Sequence, residues 1–345
     1  MADFDAAVKM HVESRLTNGV GFSMPILNLA LKNSTDDADG KAFEWFIQKD
    51  TMADQAQAAG MFTPIEARRK NILLPATLPW KYARVTDIMT LLESAFSQGQ
   101  SWIGTDFVKL KGEALVKGLK IRVSRMILGL DGMSTDGGIE INSLRQALTQ
   151  DQTWAGLTRS GTTTNVWAQS ASLDRTYTDQ DTETRMSVDL IEQIAVATHR
   201  KVEDESTSHK LYHFMGEELW LGGKRELRSY VGYKGEGSMT KLGFGFKSYE
   251  IDGNEMVLCP ELYDSNYTGT DTVYPSRWLF SIDPTTLIFK FHPEHKFKAV
   301  GNTGKVYEEQ RHLGGAAIML ALADTFCNFA ITNPNRNCFK TNVRA

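Results

Sequence analysis

Two short patterns place together residue types that bind metals or phosphates. His209 and His213 are four residues apart, as in the helix of a zinc protease, but Lys210 stands where that motif needs a glutamate. The segment 222–224, Gly-Gly-Lys, is similar to a phosphate-binding loop, yet Arg225 replaces the serine or threonine that holds Mg²⁺. Each pattern therefore lacks a residue on which the chemistry depends.

The other candidates for chemistry are weaker. Asp131, Asp136 and Glu140 lack the spacing of a calcium-binding loop. Cys259 follows a predicted strand, and we interpret it as a small buried side chain in preference to a nucleophile. The cluster 292–295, His-Pro-Glu-His, is interpreted as polar surface. We therefore predict a protein that is not an enzyme, with no catalytic residue, no metal and no cofactor.

The composition is that of a folded protein with balanced charge. The 345 residues include 38 Lys and Arg against 42 Asp and Glu, which gives a formal net charge of −4. This balance argues against a dedicated nucleic-acid-binding domain, which would be basic. No stretch approaches the roughly 18 apolar residues of a membrane span, and residues 1–20 lack the apolar region of a signal peptide. We expect a soluble, cytosolic protein with no membrane partner.

Two runs of alternating apolar residues predict two strands that form a long hairpin, residues 41–88. In the first run, Phe43 and Trp45 share one face and polar residues largely occupy the other. The second run contains Pro75 and Pro79, which cannot donate to a strand ladder and therefore favour an edge or an arm over a central strand.

The length of this hairpin favours contact with another copy of the chain. About 20 extended residues reach roughly 65 Å, which exceeds the roughly 45 Å diameter of a compact domain of about 250 residues. Because an isolated ribbon is marginally stable in water, a second copy is the economical cover; the alternative is a shorter hairpin folded on its own core. The predicted contacts with a neighbouring subunit are Phe43, Trp45, Phe46, Arg68, Arg69, Leu74, Trp80 and Lys81.

A long helix is predicted across residues 105–128. Leu115, Leu119 and Val123 fall on one face, and Gly129 can provide the left-handed residue that ends the helix. Some 24 residues make a helix of about 36 Å, which suits an element that crosses a domain.

In the rest of the chain, helices and strands follow one another without a regular βαβ order, which indicates an α+β fold. A helix is predicted at 187–201 with Ser187 as its cap, a strand at 210–215 and a helix at 217–227. A final apolar run occupies 315–331. Further strands are predicted at 242–246, 249–258, 273–282 and 286–292.

Read in order, these elements resemble a tailed-phage major capsid protein with the Hong Kong 97 shell fold. The hairpin resembles the E-loop of that family, and helix 105–128 resembles its spine helix. The most specific local likeness is the segment 153–159, Thr-Trp-Ala-Gly-Leu-Thr-Arg, which is similar to the "gGI.R....W" stretch of such coat proteins. The residues that carry this motif are Trp154, Gly156, Leu157, Arg159 and Trp167.

The resemblance implies an α+β fold with an extended N-terminal arm, an E-loop hairpin, a P-domain that contains the spine helix, and an A-domain. The implied divisions are 1–40 for the arm, 41–90 for the hairpin, 91–184 for the P-domain with its spine helix at 105–128, 185–305 for the A-domain, and 306–345 for the returning P-domain strand and C-terminal segment.

The implied function is that of a major capsid protein that self-assembles into the icosahedral head shell of a tailed double-stranded DNA bacteriophage. The implied partners are other copies in hexamers and pentamers, a separate scaffolding protein or none, a portal, optionally a decoration protein, and packaged DNA held non-specifically. The shell would assemble in the host cytoplasm and belong to the virion. The alternatives are an encapsulin-like compartment, a soluble α+β enzyme with a pocket among the C-terminal strands, and a tail-tube or decoration protein.

Overall fold

The fold mixes helices and strands along the chain, which confirms the predicted α+β class. The computed structural model describes residues 24–36, 42–48, 73–90, 107–131, 138–149, 153–159, 184–199, 210–229, 248–251, 253–269, 274–292, 297–299, 307–311 and 317–345. The helices of these stretches are α1 (Pro25–Lys32), α2 (Phe107–Leu128), α3 (Leu144–Leu148), α4 (Val188–His199) and α5 (Glu217–Ser229).

The strands form two larger sheets and two strand pairs. They are β1 (Ser34–Asp36), β2 (Ala42–Gln48), β3 (Leu73–Pro79), β4 (Lys81–Thr90), β5 (Thr184–Arg185), β6 (Tyr212–Met215), β7 (Ser248–Ile251), β8 (Asn254–Leu258), β9 (Leu279–Ile282), β10 (Leu287–Phe291), β11 (Lys298–Ala299), β12 (Tyr307–Arg311), β13 (Ala317–Ile331), β14 (Cys338–Lys340) and β15 (Val343–Arg344).

The six-stranded sheet is built around β13, the apolar run predicted near the C-terminal end. β4 pairs antiparallel with β13 from Cys327 to Ile318. β12, β11 and β10 pair with successive parts of the opposite edge, and β1 adds to β10 in parallel. A 15-residue strand with neighbours on both edges is thus the centre of this sheet.

Helix α2 lies across β4 and β13, and its apolar face is buried against them. Leu115, Leu119 and Val123 are buried on that face, as predicted. The helix ends in a Schellman motif, because the Gly129 and Leu130 amides donate to carbonyls of the last turn. Gly129 has φ of 76°, and a Cβ there would lie 2.9 Å from the Arg145 Cβ, so both conformation and packing require glycine.

The five-stranded sheet has the order β14-β9-β6-β8-β7, and both of its faces are buried. One face, which includes Phe214 and Phe280, joins the main hydrophobic core. The other face packs against α4 and α5 in a second core that includes Met215 and Leu279. Ser187 caps α4 as predicted, since its hydroxyl accepts a hydrogen bond from the Leu190 amide at 3.2 Å.

Two of the predicted strands differ from the observed strands, and a third falls outside the described residues. Residues 249–258 are two strands, β7 and β8, which a turn at Gly253 with φ of 79° joins as a hairpin. Within the described part of 273–282, the strand β9 begins at Leu279, because Pro275 begins a short 3₁₀ turn. The predicted strand at 242–246 lies outside the described residues.

Within the described ranges, no helix is both long enough and apolar enough to cross a lipid bilayer.

Candidate assembly interface

Strands β2 and β3 form a two-stranded antiparallel hairpin whose two faces differ in exposure. On the inner face, Phe43 pairs with Leu78 and Trp45 pairs with Ala76. Phe43, Leu78 and Ala76 are buried, and Trp45 is half-buried. On the outer face, every residue whose side chain the structure describes is exposed: Glu44, Phe46, Leu73, Pro75, Thr77 and Pro79.

The inner face is covered by the chain's own core. Phe43 is 3% exposed, its ring centroid lies 4.9 Å from that of Trp45, and the Lys290 ammonium lies 4.7 Å from its centre. This face therefore corresponds to the alternative of a hairpin folded on its own core. The outer face is exposed: Phe46, opposite Pro75 in the register, remains 73% exposed.

Some of the predicted contact residues are buried within the chain, and others are exposed. Lys81 is buried, and its ammonium donates to the Gly138 carbonyl. Trp80 is half-buried and stacks on Phe326, with ring centroids 5.7 Å apart. Because Phe43 and Lys81 lie within the chain, a neighbouring subunit could not cover them.

For the remaining candidates, contact with a neighbour stays a prediction. Phe46 is exposed, and Leu74 and Trp45 are half-buried. Arg68 and Arg69 lie outside the described residues. The surface that fits the prediction is the outer face defined above.

The motif segment 153–159 begins with a tight turn. Trp154 and Leu157 exchange two backbone hydrogen bonds, of 3.0 Å and 2.8 Å. Between them, Ala155 and Gly156 have φ of 52° and 77°. Positive φ at both central positions defines a type I′ turn, and glycine adopts this conformation without the strain that a side chain causes. Trp154 is buried in the main core and fixes the turn there.

The turn is bonded directly to the hairpin. The Thr77 amide of β3 donates to the Ala155 carbonyl at 3.1 Å. A Cβ on Gly156 would lie 3.7 Å from the Thr77 hydroxyl oxygen, so the two segments are in van der Waals contact. The turn therefore anchors the edge of β3 that does not pair with β2.

Arg159 completes the motif by capping α3. Its guanidinium is 1% exposed and donates to the carbonyls of Ala147 at 2.6 Å, Gln146 at 2.9 Å and Thr149 at 3.1 Å. The last carbonyls of a helix lack intrahelical partners, and a cation there is favourable. The segment is thus a bracket that joins the hairpin to α3. The fifth motif residue, Trp167, lies outside the described residues.

A second anchor was missed by sequence reasoning. Asn328 of β13 is fully buried, and its amide donates to the Pro79 carbonyl at 2.6 Å and to the Asn142 side chain at 2.9 Å. Asn142 in turn donates to the Gln146 side chain at 3.0 Å. These amides tie the end of β3 to β13 and α3. The one signal in the sequence was a lone asparagine within an apolar run.

The patterns that could have bound a metal or a phosphate have structural roles here. His213 is buried, its Nδ1 lies 2.7 Å from the Ser281 hydroxyl, and burial lowers its pKa to about 3. Gly223 lies inside α5, where a Cβ would come within 2.2 Å of the Tyr249 hydroxyl oxygen. Lys224 lies 4.1 Å from the centre of the Trp220 ring. His209 lies outside the described residues.

The remaining candidates are likewise built into the fold. Cys259 is buried, and burial raises the pKa of its thiol, which opposes formation of a nucleophilic thiolate. Arg122 pairs with both Asp131 at 2.7 Å and Glu140 at 3.0 Å, while Asp136 lies outside the described residues. Among the side chains that the structure describes, no group of three His, Cys, Asp or Glu could hold a metal ion.

Comparison with known proteins identifies the fold. No protein-family model and no curated protein matches the sequence. Solved structures match over nearly the whole chain. The cyanophage A-1(L) capsid protein is 13% identical with a TM-score of 0.65, and the match covers 96% of each chain. The head protein of Helicobacter pylori bacteriophage KHP40 is 9% identical with a TM-score of 0.53, covering 96% of this chain and 94% of that one.

An encapsulin is also similar. The SrpI encapsulin of Synechococcus elongatus PCC 7942 is 9% identical with a TM-score of 0.53, and the match covers 99% of this chain and 95% of that one. The chain therefore has the Hong Kong 97-like fold, which phage capsid proteins and this encapsulin share. The fold class implied by the resemblance is confirmed.

Proposed function

We propose that the chain is a major capsid protein that self-assembles into the icosahedral head shell of a tailed double-stranded DNA bacteriophage. The observation that carries the proposal is a Hong Kong 97-like fold over nearly the whole chain, with one exposed apolar hairpin face. A shell subunit needs a rigid platform and an arm that a neighbour covers. The two buried cores supply the platform, and the outer face of β2 and β3 supplies the arm.

The chemistry of the outer face suits repeated weak contacts. Phe46, Leu73 and Pro75 are apolar and exposed, with the charged Glu44 beside them. Apolar burial contributes about 25 cal/mol per Å², so a few hundred Å² per contact would stabilise each contact moderately. A contact between two different surfaces closes into rings, which is the geometry of hexamers and pentamers. Because the same contact repeats around a closed shell, the total stabilisation of the shell is large.

The proposed partners follow from this role. They are other copies of the chain, a separate scaffolding protein, a portal and, optionally, a decoration protein. Packaged DNA would be held non-specifically through scattered Lys and Arg, which is compatible with the net charge of −4. Assembly would take place in the host cytoplasm, and the product would be the head of the virion.

An encapsulin-like compartment is the second candidate, because the similarity to the SrpI encapsulin covers 99% of the chain. The contents of the shell distinguish the two functions. A phage head encloses DNA or is empty when expressed alone, whereas an encapsulin encloses a cargo enzyme. The soluble-enzyme alternative requires a monomer or dimer with turnover.

The test is electron microscopy of the expressed full-length chain together with an outer-face variant. We expect the natural chain to form closed shells. The double variant Phe46→Ser, Leu73→Ser should remain folded but reduce the fraction of chain in shells at least tenfold, because a small loss at each contact is repeated over the many contacts of a shell. Val196→Ser is the control, since Val196 is half exposed on α4, away from the hairpin.

Either of two results would contradict the proposal. A natural chain that elutes as a monomer or dimer in size-exclusion chromatography would exclude the shell function. Equal assembly of the hairpin variant and the natural chain would show that neighbours do not cover this face.

A further inference from the structure

The loop that follows β8, residues 259–269, grips the C-terminal end of α2. We call this set of contacts the clasp. Its hydrogen bonds connect the last turns of the helix and the residue Leu130 that follows them with the loop, and they involve side chains as well as backbone groups. They join Ser124 to Glu261, Arg125 to Asn266 and Leu130 to Thr268.

Glu261 is the buried centre of the clasp. It is 3% exposed, and its Oε2 accepts a hydrogen bond from the Ser124 hydroxyl at 2.7 Å. Its Oε1 is buried and has no hydrogen-bond partner among the described residues. The ionisable groups that act on this carboxyl are Arg125 from α2 and the Cys259 thiol from its own loop, with Sγ 4.0 Å from Oε2.

This environment disfavours the charged carboxylate. A buried charge needs several donors or a paired cation to offset the loss of water. Here the Ser124 hydroxyl and, as a weak donor, the Cys259 thiol both donate to Oε2, and the Arg125 guanidinium bonds to the Asn266 side chain. Burial raises the pKa of Glu261 from its ordinary 4.5 to about 7, although the Ser124 hydrogen bond and the Arg125 charge act to lower it.

We propose that Glu261 is a proton-binding site that sets how firmly the clasp holds α2 and so makes the subunit responsive to pH. The buried site favours the neutral carboxyl, and in this form the hydrogen bonds of the clasp are intact. The carboxylate draws water towards its unpartnered oxygen, and the clasp loosens. The consequence for shells rests on the function proposed above, because α2 lies across the sheet that carries β4 and its linked hairpin.

The direction of the effect follows from proton linkage. The pKa of Glu261 is higher in the folded chain than in the unfolded chain, so the folded chain binds more protons between the two pKa values. The stability that Glu261 contributes is therefore complete below about pH 4.5 and is lost as the pH rises through about 7. Within that window a single group changes the equilibrium up to about tenfold per pH unit.

The first test is an infrared titration of the carboxyl band in the full-length chain, as a difference between the natural chain and Glu261→Gln. Glutamine has nearly the same shape and stays neutral at all pH values. We expect a carboxyl signal that titrates near pH 7 and is absent from the variant. Ser124→Ala, which removes the hydroxyl donor to the carboxylate, should shift the signal to higher pH. Glu218→Gln, at an exposed position of α5, should leave it unchanged.

The second test is hydrogen exchange of peptides from 259–269 and 120–131, with the natural chain and Glu261→Gln compared at the same pH. At pH 4 the two chains should exchange nearly equally, because the carboxyl is protonated both when the clasp is closed and when it is open. At pH 8 the natural chain should exchange up to about 300-fold faster in these peptides, because the ordinary pKa of 4.5 and the folded pKa of about 7 differ by about 2.5 pH units. Comparison at equal pH cancels the contribution of every other titrating group.

Two outcomes would overturn the proposal: a Glu261 signal that titrates below pH 5, or equal exchange of the two chains at both pH values. Shells provide a separate readout. The pH dependence of the assembled fraction between pH 5.5 and 8 should be smaller in Glu261→Gln, and an identical dependence would overturn the regulatory part. Absence of shells at every pH would count against the proposed function, while the infrared and exchange tests would still decide the proton site.

Discussion

The β2–β3 hairpin and the five-stranded sheet have similar apolar strands but opposite exposure. Phe46 of the hairpin is 73% exposed, whereas Phe280 of the sheet is fully buried. The sheet lies between two layers, the main core on one side and α4 with α5 on the other. The hairpin has described structure on its inner side alone. Strand residues of the same type are therefore part of the core in one region and exposed in the other.

The hairpin is hydrogen-bonded to the rest of the chain at one end. Its base is bonded to the type I′ turn through Thr77 and to β13 through Asn328. These bonds use groups outside the two-stranded ladder. The chain therefore holds the hairpin on its inner face and at the outer edge of β3, while Phe46 on the outer face stays 73% exposed.

The largest expected effect is the difference in the free energy of unfolding between a substitution in the five-stranded sheet and one on the hairpin. Phe280→Ala should lower the free energy of unfolding by about 3–5 kcal/mol, because it removes a ring that stacks on Phe339 at 4.5 Å and leaves a cavity. Phe46→Ala should change it by less than about 0.5 kcal/mol. Urea denaturation of unassembled subunits measures both values. If the two variants were equally destabilised, the outer face would be part of the folded core and the comparison would fail.

The next effect concerns the bracket that anchors the hairpin. Arg159→Met should lower the free energy of unfolding by about 3 kcal/mol, because it leaves two buried carbonyls and one partly buried carbonyl without their donor. Hydrogen exchange should also rise at the Thr77 amide if the bracket positions β3. Arg84→Met, at an exposed position of β4, is the matched control. A variant as destabilised as expected but with unchanged Thr77 exchange would limit Arg159 to capping α3.

The smallest effect is a pH dependence within the five-stranded sheet. Burial lowers the pKa of His213 from its ordinary 6.5 to about 3, so the folded chain binds fewer protons than the unfolded chain between these values. The stability that neutral His213 contributes is therefore present above pH 6.5 and decreases as the pH falls, by up to about 1.4 kcal/mol per pH unit. The proton resonance of the imidazole should not titrate between pH 8 and 4.5; titration near pH 6.5 would show that this face is open to water.

Local patterns predicted the elements well where one segment determines its own structure. The alternation in β2 predicted which side of the strand carries Phe43 and which carries Phe46. The helical period predicted the buried face of α2, and Gly129 and Ser187 were correctly assigned to a helix end and a helix start. These features depend on backbone conformation and on neighbours within one turn, which a sequence displays directly.

The contacts between distant segments were not predictable in this way. Lys81 was expected on a surface but is buried beside Gly138, and Asn328 bonds to Pro79 across 249 residues of sequence. The segment 153–159 was recognised as a family-like motif, yet its roles in capping α3 and holding β3 were not apparent. Each depends on which segments the fold brings together.

Local sequence patterns therefore specify the elements, their apolar faces, and the order that resembles a shell protein. Only the folded chain shows which apolar face is buried and which stays exposed. The physical reason is that alternation reports only that a strand has two different faces. Burial depends on the layers that pack on each face, and those layers come from residues far away in the sequence.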